Sequence, residues 1–369
     1  MIYKNLEMAC AFVAALHVYN SCRNRRKLKR IALVSPKNSP WTRLYRYGDD
    51  DSFMELTGFD KVTFRRLQTR LFDEPRVKVR TGRRPLLDNA GKLGLFLLYL
   101  NSNMKTKHLS LIFGIVPSSV SQHLAEMRQK CVVKLRNAVE AKISFPNEAE
   151  KANFASMINY REPTVDNVIG FVDGVSLSIE CAEDEVSQSI AYNGYYHDTR
   201  CNNVFAFAPT GKIVFACINY PGSWHDSQVA MKLVQQVIAK LGNYALCVDQ
   251  GFARSGILKG KFVGPLSKEQ KRRFRNDAEL LERHRVYVSL RQASEWGMRA
   301  LQGTFSRLKT RLTSDKRIRH DIILSVILLH NFRTHYIGLN QIATVFNPIY
   351  DQYVNFDYYD RIARYFKID

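Results

Sequence analysis

The stretch Val168-Ile-Gly-Phe-Val-Asp173-Gly174 decides the fold. A short apolar run that stops on a carboxylate and a glycine reads as a buried strand delivering an acidic side chain at or near its edge. The same grammar returns in Leu246-Cys-Val-Asp249-Gln-Gly251. Two strands that each present an Asp before a flexible glycine suit a metal site, because strands fix oxygen positions while the loops leave coordination room. Taken singly, Asp-Gly and Asp-x-Gly are also ordinary turn sequences.

Outward from this pair, further short apolar runs at Val204–Phe207, Ile213–Ile218 and Tyr244–Val248 alternate with turn residues and with a helical pattern over Ser227–Leu241. Strands mixed with helices predict an α/β domain over residues 160–340, a mixed sheet flanked by helices. Helical stretches close it near Ala293–Leu312 and Asp321–His335, after a polar and basic interval. Asp226, in Tyr220-Pro-Gly-Ser-Trp-His225-Asp226-Ser, stands directly before the predicted helix and by itself reads first as an N-cap, with a third acidic ligand as the alternative. Glu295, in Ser294-Glu-Trp-Gly-Met-Arg, reads by itself as a solvated helical residue.

Upstream, apolar residues from Ser52 to about Glu140 recur at helical spacing, for example Phe64, Leu67, Leu71 and Leu93, Phe96, Leu97, Leu100, which predicts an all-helical domain over residues 51–150. Inside it, Leu109, Ile112 and Phe113 mark one helix, Gly114 a tight turn, and Pro117-Ser118 the start of a second with Val120 and Leu124 inward. That is the layout of a helix-turn-helix whose second helix offers Ser118, Ser119, Ser121, Gln122 and Arg128 to DNA, a reading the basic charge favours over an ordinary helical hairpin. Residues 1–50 read as a partly ordered arm: Met8–Val18 is a short helix rather than a signal peptide, Arg23 to Arg30 is a basic run, and Ser35–Pro40 breaks periodicity. The run serves nuclear import or phosphate contact, or is a solvated face. Residues 341–369 read as a tail rich in Tyr, Phe and Asp.

Charge narrows the partners. The 55 Lys and Arg against 34 Asp and Glu give a formal net charge of +21, which favours polyanions through counterion release, nucleic acid above all. No apolar run approaches the roughly 20 residues that span a bilayer, so a soluble chain with no membrane partner is expected. The seven cysteines are scattered without a zinc-like pair, as in an intracellular protein with reduced thiols. Lys261, Lys268, Lys271, Arg272, Arg273 and Arg275 lie between two of the acidic candidates and form either a phosphate clamp or a solvated loop.

Taken in order, these motifs resemble the PIF/Harbinger superfamily of transposases and Harbinger-transposase-derived nucleases. The resemblance runs over roughly residues 55–335, through Ile143-Ser-Phe-Pro-Asn-Glu-Ala-Glu to Leu328-Leu-His330-Asn331. It implies an RNase H-like catalytic domain whose DDE-type acidic residues coordinate divalent metal, Mg²⁺ or Mn²⁺, in a two-metal hydrolysis of DNA phosphodiesters with strand transfer to follow. The family's Asp-Gly-Thr motif falls on Asp173, with Val175 in place of Thr; Pro-Gly-Ser-x-His-Asp falls on Pro221 to Asp226. Gly-Asp-x-Gly-Tyr falls on Val248 to Phe252, with Val for Gly and Phe for Tyr. The closing Glu is assigned to Glu295, although the position three residues before Phe305-Ser-Arg-Leu-Lys309, where many members carry it, holds Gln302. His225 supports the site or packs beside Trp224. The resemblance further implies a nuclear protein with a separate Myb-like accessory protein, and leaves the oligomeric state open. Its alternative is a domesticated transposase that binds or recruits at DNA without cutting.

Overall fold

The computed structural model describes residues 28–73, 86–182, 184–338 and 340–346, together with all their side chains except those of 226, 232 and 233. The short apolar helix expected at Met8–Val18, most of the basic run and the tail beyond 346 lie outside them.

The first half is helical: α1 (Pro40–Tyr47), α2 (Asp50–Thr57), α3 (Lys61–Phe72), α4 (Asn89–Asn101), α5 (Thr106–Phe113) and α6 (Pro117–Leu135). Short polar side chains start α2, α3 and α4 by taking up free amides: Asp49 accepts from Ser52 N, Asp60 from Thr63 N and Asp88 from Gly91 N. α4 is buried on nearly every side, from Ala90 through Leu98, so the other helices wrap around it. One of those is α1, which the sequence assigns to the arm. Ser39 caps it, Pro40 takes its first position, and Trp41 stacks on Phe113 at 5.2 Å inside the core. The Ser-Pro that breaks the upstream periodicity is therefore a helix start.

α7 (Glu148–Arg161) leads into a mixed sheet of β1 (Val168–Ser178), β2 (Tyr192–Asn193), β3 (Asp198–Phe207), β4 (Ile213–Pro221), β5 (Ala245–Val248) and β6 (Phe262–Val263). β1 runs antiparallel to β3 and parallel to β5; β3 pairs antiparallel with β4 as well as β2, and β5 pairs parallel with β6. Three antiparallel strands continued by two parallel ones, with helices on both faces, fit an RNase H-like α/β domain. A short helix α8 (Glu185–Ala191) precedes β2, α9 (Asp226–Leu241) follows β4, and α10 (Lys268–Arg273), α11 (Ala278–Thr304), α12 (Lys316–Tyr336) and α13 (Gln341–Phe346) complete the chain. α13 belongs to the stretch expected to be tail, yet Phe346 is buried and packs 5.0 Å from Phe171 of β1. Among the described residues no helix is long and apolar enough to cross a membrane.

The two faces of the sheet belong to different cores. Ile169, Val172, Val204, Leu246 and Val248 pack with α7 and α9, whereas Phe171, Phe205, Cys247 and Phe207 pack with α11 and α12. The second core is continuous with that of the helical half, and α12 touches both α6 and β4. Polar ties reinforce this: Arg307 donates to the carbonyls of Tyr99 and Met104 at 3.0 and 2.7 Å, and Arg333 to that of Gly58 at 2.8 Å.

A sealed polar seam lies beneath α12. Asn331, 1% exposed, accepts from the Ile213 amide at 2.8 Å and donates to the Ile213 carbonyl at 2.9 Å, so it stands in for a neighbouring strand at the start of β4. His330 Nε2 lies 3.0 Å from the Gly211 carbonyl, and burial pulls its pKa down to about 4, so it is neutral. Arg319 donates to Asn219 Oδ1 at 2.6 Å and to the carbonyls of Thr313 and Ser314. The Leu-Leu-His-Asn motif is thus a pin.

Candidate active site

Strand alternation brings the first two carboxylates together. Val172 of β1 is level with Val248, the last residue of β5, so Asp173 and Asp249 each follow one residue on. Both stand one residue beyond side chains of the α7–α9 face, which turns them to the face covered by α11. Asp249 sits just past the end of β5, as its sequence predicts. Asp173 differs, because β1 runs on to Ser178 and pairs Asp173 with Phe205 of β3; the carboxylate is delivered from mid-strand. The apolar run ends there because this face of the strand opens into a cleft while the ladder continues. Gly174 therefore extends the strand instead of turning it, and its amide donates to Asp173 Oδ1 at 2.9 Å.

α11 supplies the opposite wall. Gly297 lets it lie close to the sheet, since a Cβ at that position would come within 2.7 Å of the Phe207 ring. A cleft of about 340 Å³ results, lined by Asp173, Gly174, Val175, Glu295, Met298, Arg299, Gln302 and Lys309. Glu295 and Gln302 thus both face Asp173, two turns apart on one helix.

Asp226 begins α9, and the cap of that helix is His225, whose Nδ1 accepts from the Ser227 amide at 3.4 Å while its own amide donates to Gln228 Oε1 at 2.8 Å. The capping explanation for Asp226 therefore passes to its neighbour. His225 also approaches the Asp249 loop, its Cε1 lying 3.9 Å from where a Cβ on Gly251 would sit.

Arg291 has no place in the sequence reading. One helical turn before Glu295, it lies 2.7 Å from Glu295 Oε1 through one guanidinium nitrogen and 3.5 Å from Asp249 Oδ1 through the other. Its only sequence signal is the four-residue spacing to Glu295. Arg299 and Lys309 are further cleft residues without an assigned role in the sequence, Lys309 standing in the Phe305–Lys309 motif.

The donor set suits a hard divalent cation: it is all carboxylate, and two of its members already share a positive group. As they stand, no three His, Cys, Asp or Glu among the described residues are grouped to hold a metal. Burial pushes the Cys131 and Cys247 thiols up to about 12, so these two do not compete for a cation.

Of the proposed DNA contacts, Ser118, Ser121 and Gln122 are exposed on α6 and Ser119 is half-buried. Gly114 takes φ +67° between α5 and α6, and the chain at Val34 to Pro36 presses against it, leaving no room for a side chain. Arg128 is half-buried, its Nε 4.0 Å from Asp321 of α12. Lys268, Lys271, Arg272 and Arg273 are all exposed on α10. That helix is tied to the Asp249 loop: Gln250 donates to the Leu266 carbonyl at 2.9 Å and Arg254 to that of Pro265 at 2.8 Å.

With this geometry in view, comparison with known families is informative. Residues 172–331 match the family model described as DDE superfamily endonuclease. The matched span opens one residue before Asp173, closes on Asn331, and includes Asp226, Asp249 and Glu295; the helical half lies outside it. This similarity supports nuclease or transposase chemistry for the α/β domain, a DNA substrate, and the divalent metal that such enzymes generally use. No curated protein and no solved structure matches the chain.

Proposed function

We propose that the chain is a metal-dependent DNA endonuclease or transposase of the PIF/Harbinger kind, with Asp173, Asp226, Asp249 and Glu295 as its metal ligands. The observation that carries this reading is Asp173 of β1 beside the end of β5, where Asp249 follows, with Glu295 across the cleft from Asp173 and joined to Asp249 through Arg291. Bound there, two divalent ions would activate a water and stabilise the leaving oxygen of a phosphodiester. The chain's own part is to hold the carboxylates on rigid strands and a helix, with Arg299 and Lys309 on the cleft wall available to scissile-strand phosphates. Exposed α10, fixed to the Asp249 loop, contributes Lys268, Lys271, Arg272 and Arg273 to the flanking phosphates. Ser118, Ser119 and Gln122 on α6 meet DNA as a helix-turn-helix, and the protein works in the nucleus with a Myb-like accessory protein.

A second reading, a domesticated transposase that binds DNA without cutting it, is favoured by Gln302 and Val175 in the cleft. Cleavage of a random DNA pool with Mg²⁺ or Mn²⁺, beside EDTA and Asp173→Ala, separates the two. Metal-dependent nicking that falls by roughly a thousandfold in the variant is expected; nicking that survives Asp173→Ala removes the carboxylate mechanism, and none from the wild type leaves the binding protein.

A further inference from the structure

We propose that Arg291 is a resident cation of the carboxylate cleft, which ties Asp249 to Glu295 when no metal is bound and is displaced when a divalent ion enters. The inference rests on the reading of Asp173, Asp226, Asp249 and Glu295 as ligands. Arg291 and Glu295 alone would be an ordinary pair one turn apart on a helix surface. The second contact changes its meaning, because Asp249 comes from the loop after β5, on the opposite wall. One guanidinium therefore spans two elements. Its planar fork of donors reaches carboxylates arriving from different directions, which a lysine ammonium on one stem does less well.

Electrostatics gives the bridge its consequence. Asp249, Glu295 and Arg291 are 41%, 43% and 33% exposed, so their charges are screened but not lost in bulk water. Without Arg291, Asp249 and Glu295 would face each other as like charges beside Asp173. With it, they are drawn together and partly neutralised, and the oxygens at Asp249 Oδ1 and Glu295 Oε1 are engaged. A divalent ion seeks those same oxygens and repels the guanidinium, so the two cations exclude each other. Metal affinity then carries the cost of moving Arg291 aside, and Arg291 sets the concentration at which the cleft loads.

The test is a Mn²⁺ titration of the full-length protein, following free Mn²⁺ by electron paramagnetic resonance, for wild type, Arg291→Gln, Arg291→Lys and Asp173→Asn. Arg291→Gln should bind Mn²⁺ about tenfold more tightly than wild type, with Arg291→Lys between them. In EDTA, Arg291→Gln should melt below wild type and gain more on adding Mn²⁺. Affinity that is unchanged or weaker in Arg291→Gln, while wild-type binding depends on Asp173, overturns the resident cation and spares the ligand assignment. Should Arg291→Gln not fold, Arg291→Lys bears the test alone, and an affinity equal to wild type overturns the proposal. Absence of Mn²⁺ binding in every variant overturns both readings.

Discussion

The carboxylate cleft and the polar seam beneath α12 both draw on motif residues of the matched segment, yet one is open and the other is sealed. At the cleft, Glu295 of its wall and Asp249 beside it are two-fifths exposed and share a single guanidinium. In the seam, His330 and Asn331 are at most 2% exposed, and each is held by backbone groups of the turn and strand start at Gly211 and Ile213. Motif residues thus divide by solvation. The carboxylates proposed as ligands are left reachable, whereas side chains that substitute for a strand are satisfied and buried.

Substitutions should break along that division. The largest effect is expected at Glu295→Gln, which should lower metal-dependent cleavage by at least a hundredfold, on the order of one lost charge-stabilising group, with the melting temperature almost unchanged. Gln302→Ala beside it should alter cleavage only a few-fold; a reversed ranking in paired kinetic and melting measurements would move the family glutamate to position 302. Asn331→Ala should do the opposite. It strips the Ile213 amide and carbonyl of their partner, which costs about 3 kcal/mol, and should appear as a lower denaturation midpoint with normal cleavage per folded molecule. A fall in cleavage beyond the loss of folded protein would join the seam to the chemistry.

His330 sharpens the same contrast through pH. Its folded pKa, about 4, lies below the ordinary histidine value of 6.5, so the buried neutral ring contributes stability that is complete above pH 6.5 and is lost as pH falls towards 4. The loss over that window reaches about 3 kcal/mol. Denaturation midpoints measured between pH 7 and 4 should fall in wild type and stay flatter in His330→Gln; parallel curves would mean that the ring is not the group that titrates.

The sequence made this division only half visible. The strand-end Asp249 was legible because the apolar run and the ladder stop together. At Asp173 they part, so the run reads as ending at Val172 although β1 continues to Ser178. The first half of α11 is hidden for a similar reason: Glu279, Glu282, Arg283 and Arg285 face solvent, and only His284, Val286 and Leu290 mark its inner side. α1 was masked by the Ser-Pro that in fact caps it. Arg291 could not be read at all as a bridge, since its link to Asp249 exists only after β5 and α11 are packed across one cleft. Pairing between distant elements leaves no periodic trace.

The double allegiance of α12, packed on α6 and on β4, has a thermodynamic corollary. Leu324, Ile327 and Leu328 belong to the one core the two halves share, so parting the halves would bare apolar surface and they open to solvent together. Amide hydrogens of α4, far from the cleft in sequence, then exchange only when the whole molecule opens. Whatever cation or polyanion the cleft retains slows that exchange, and the helical half registers the occupancy of a site it does not touch.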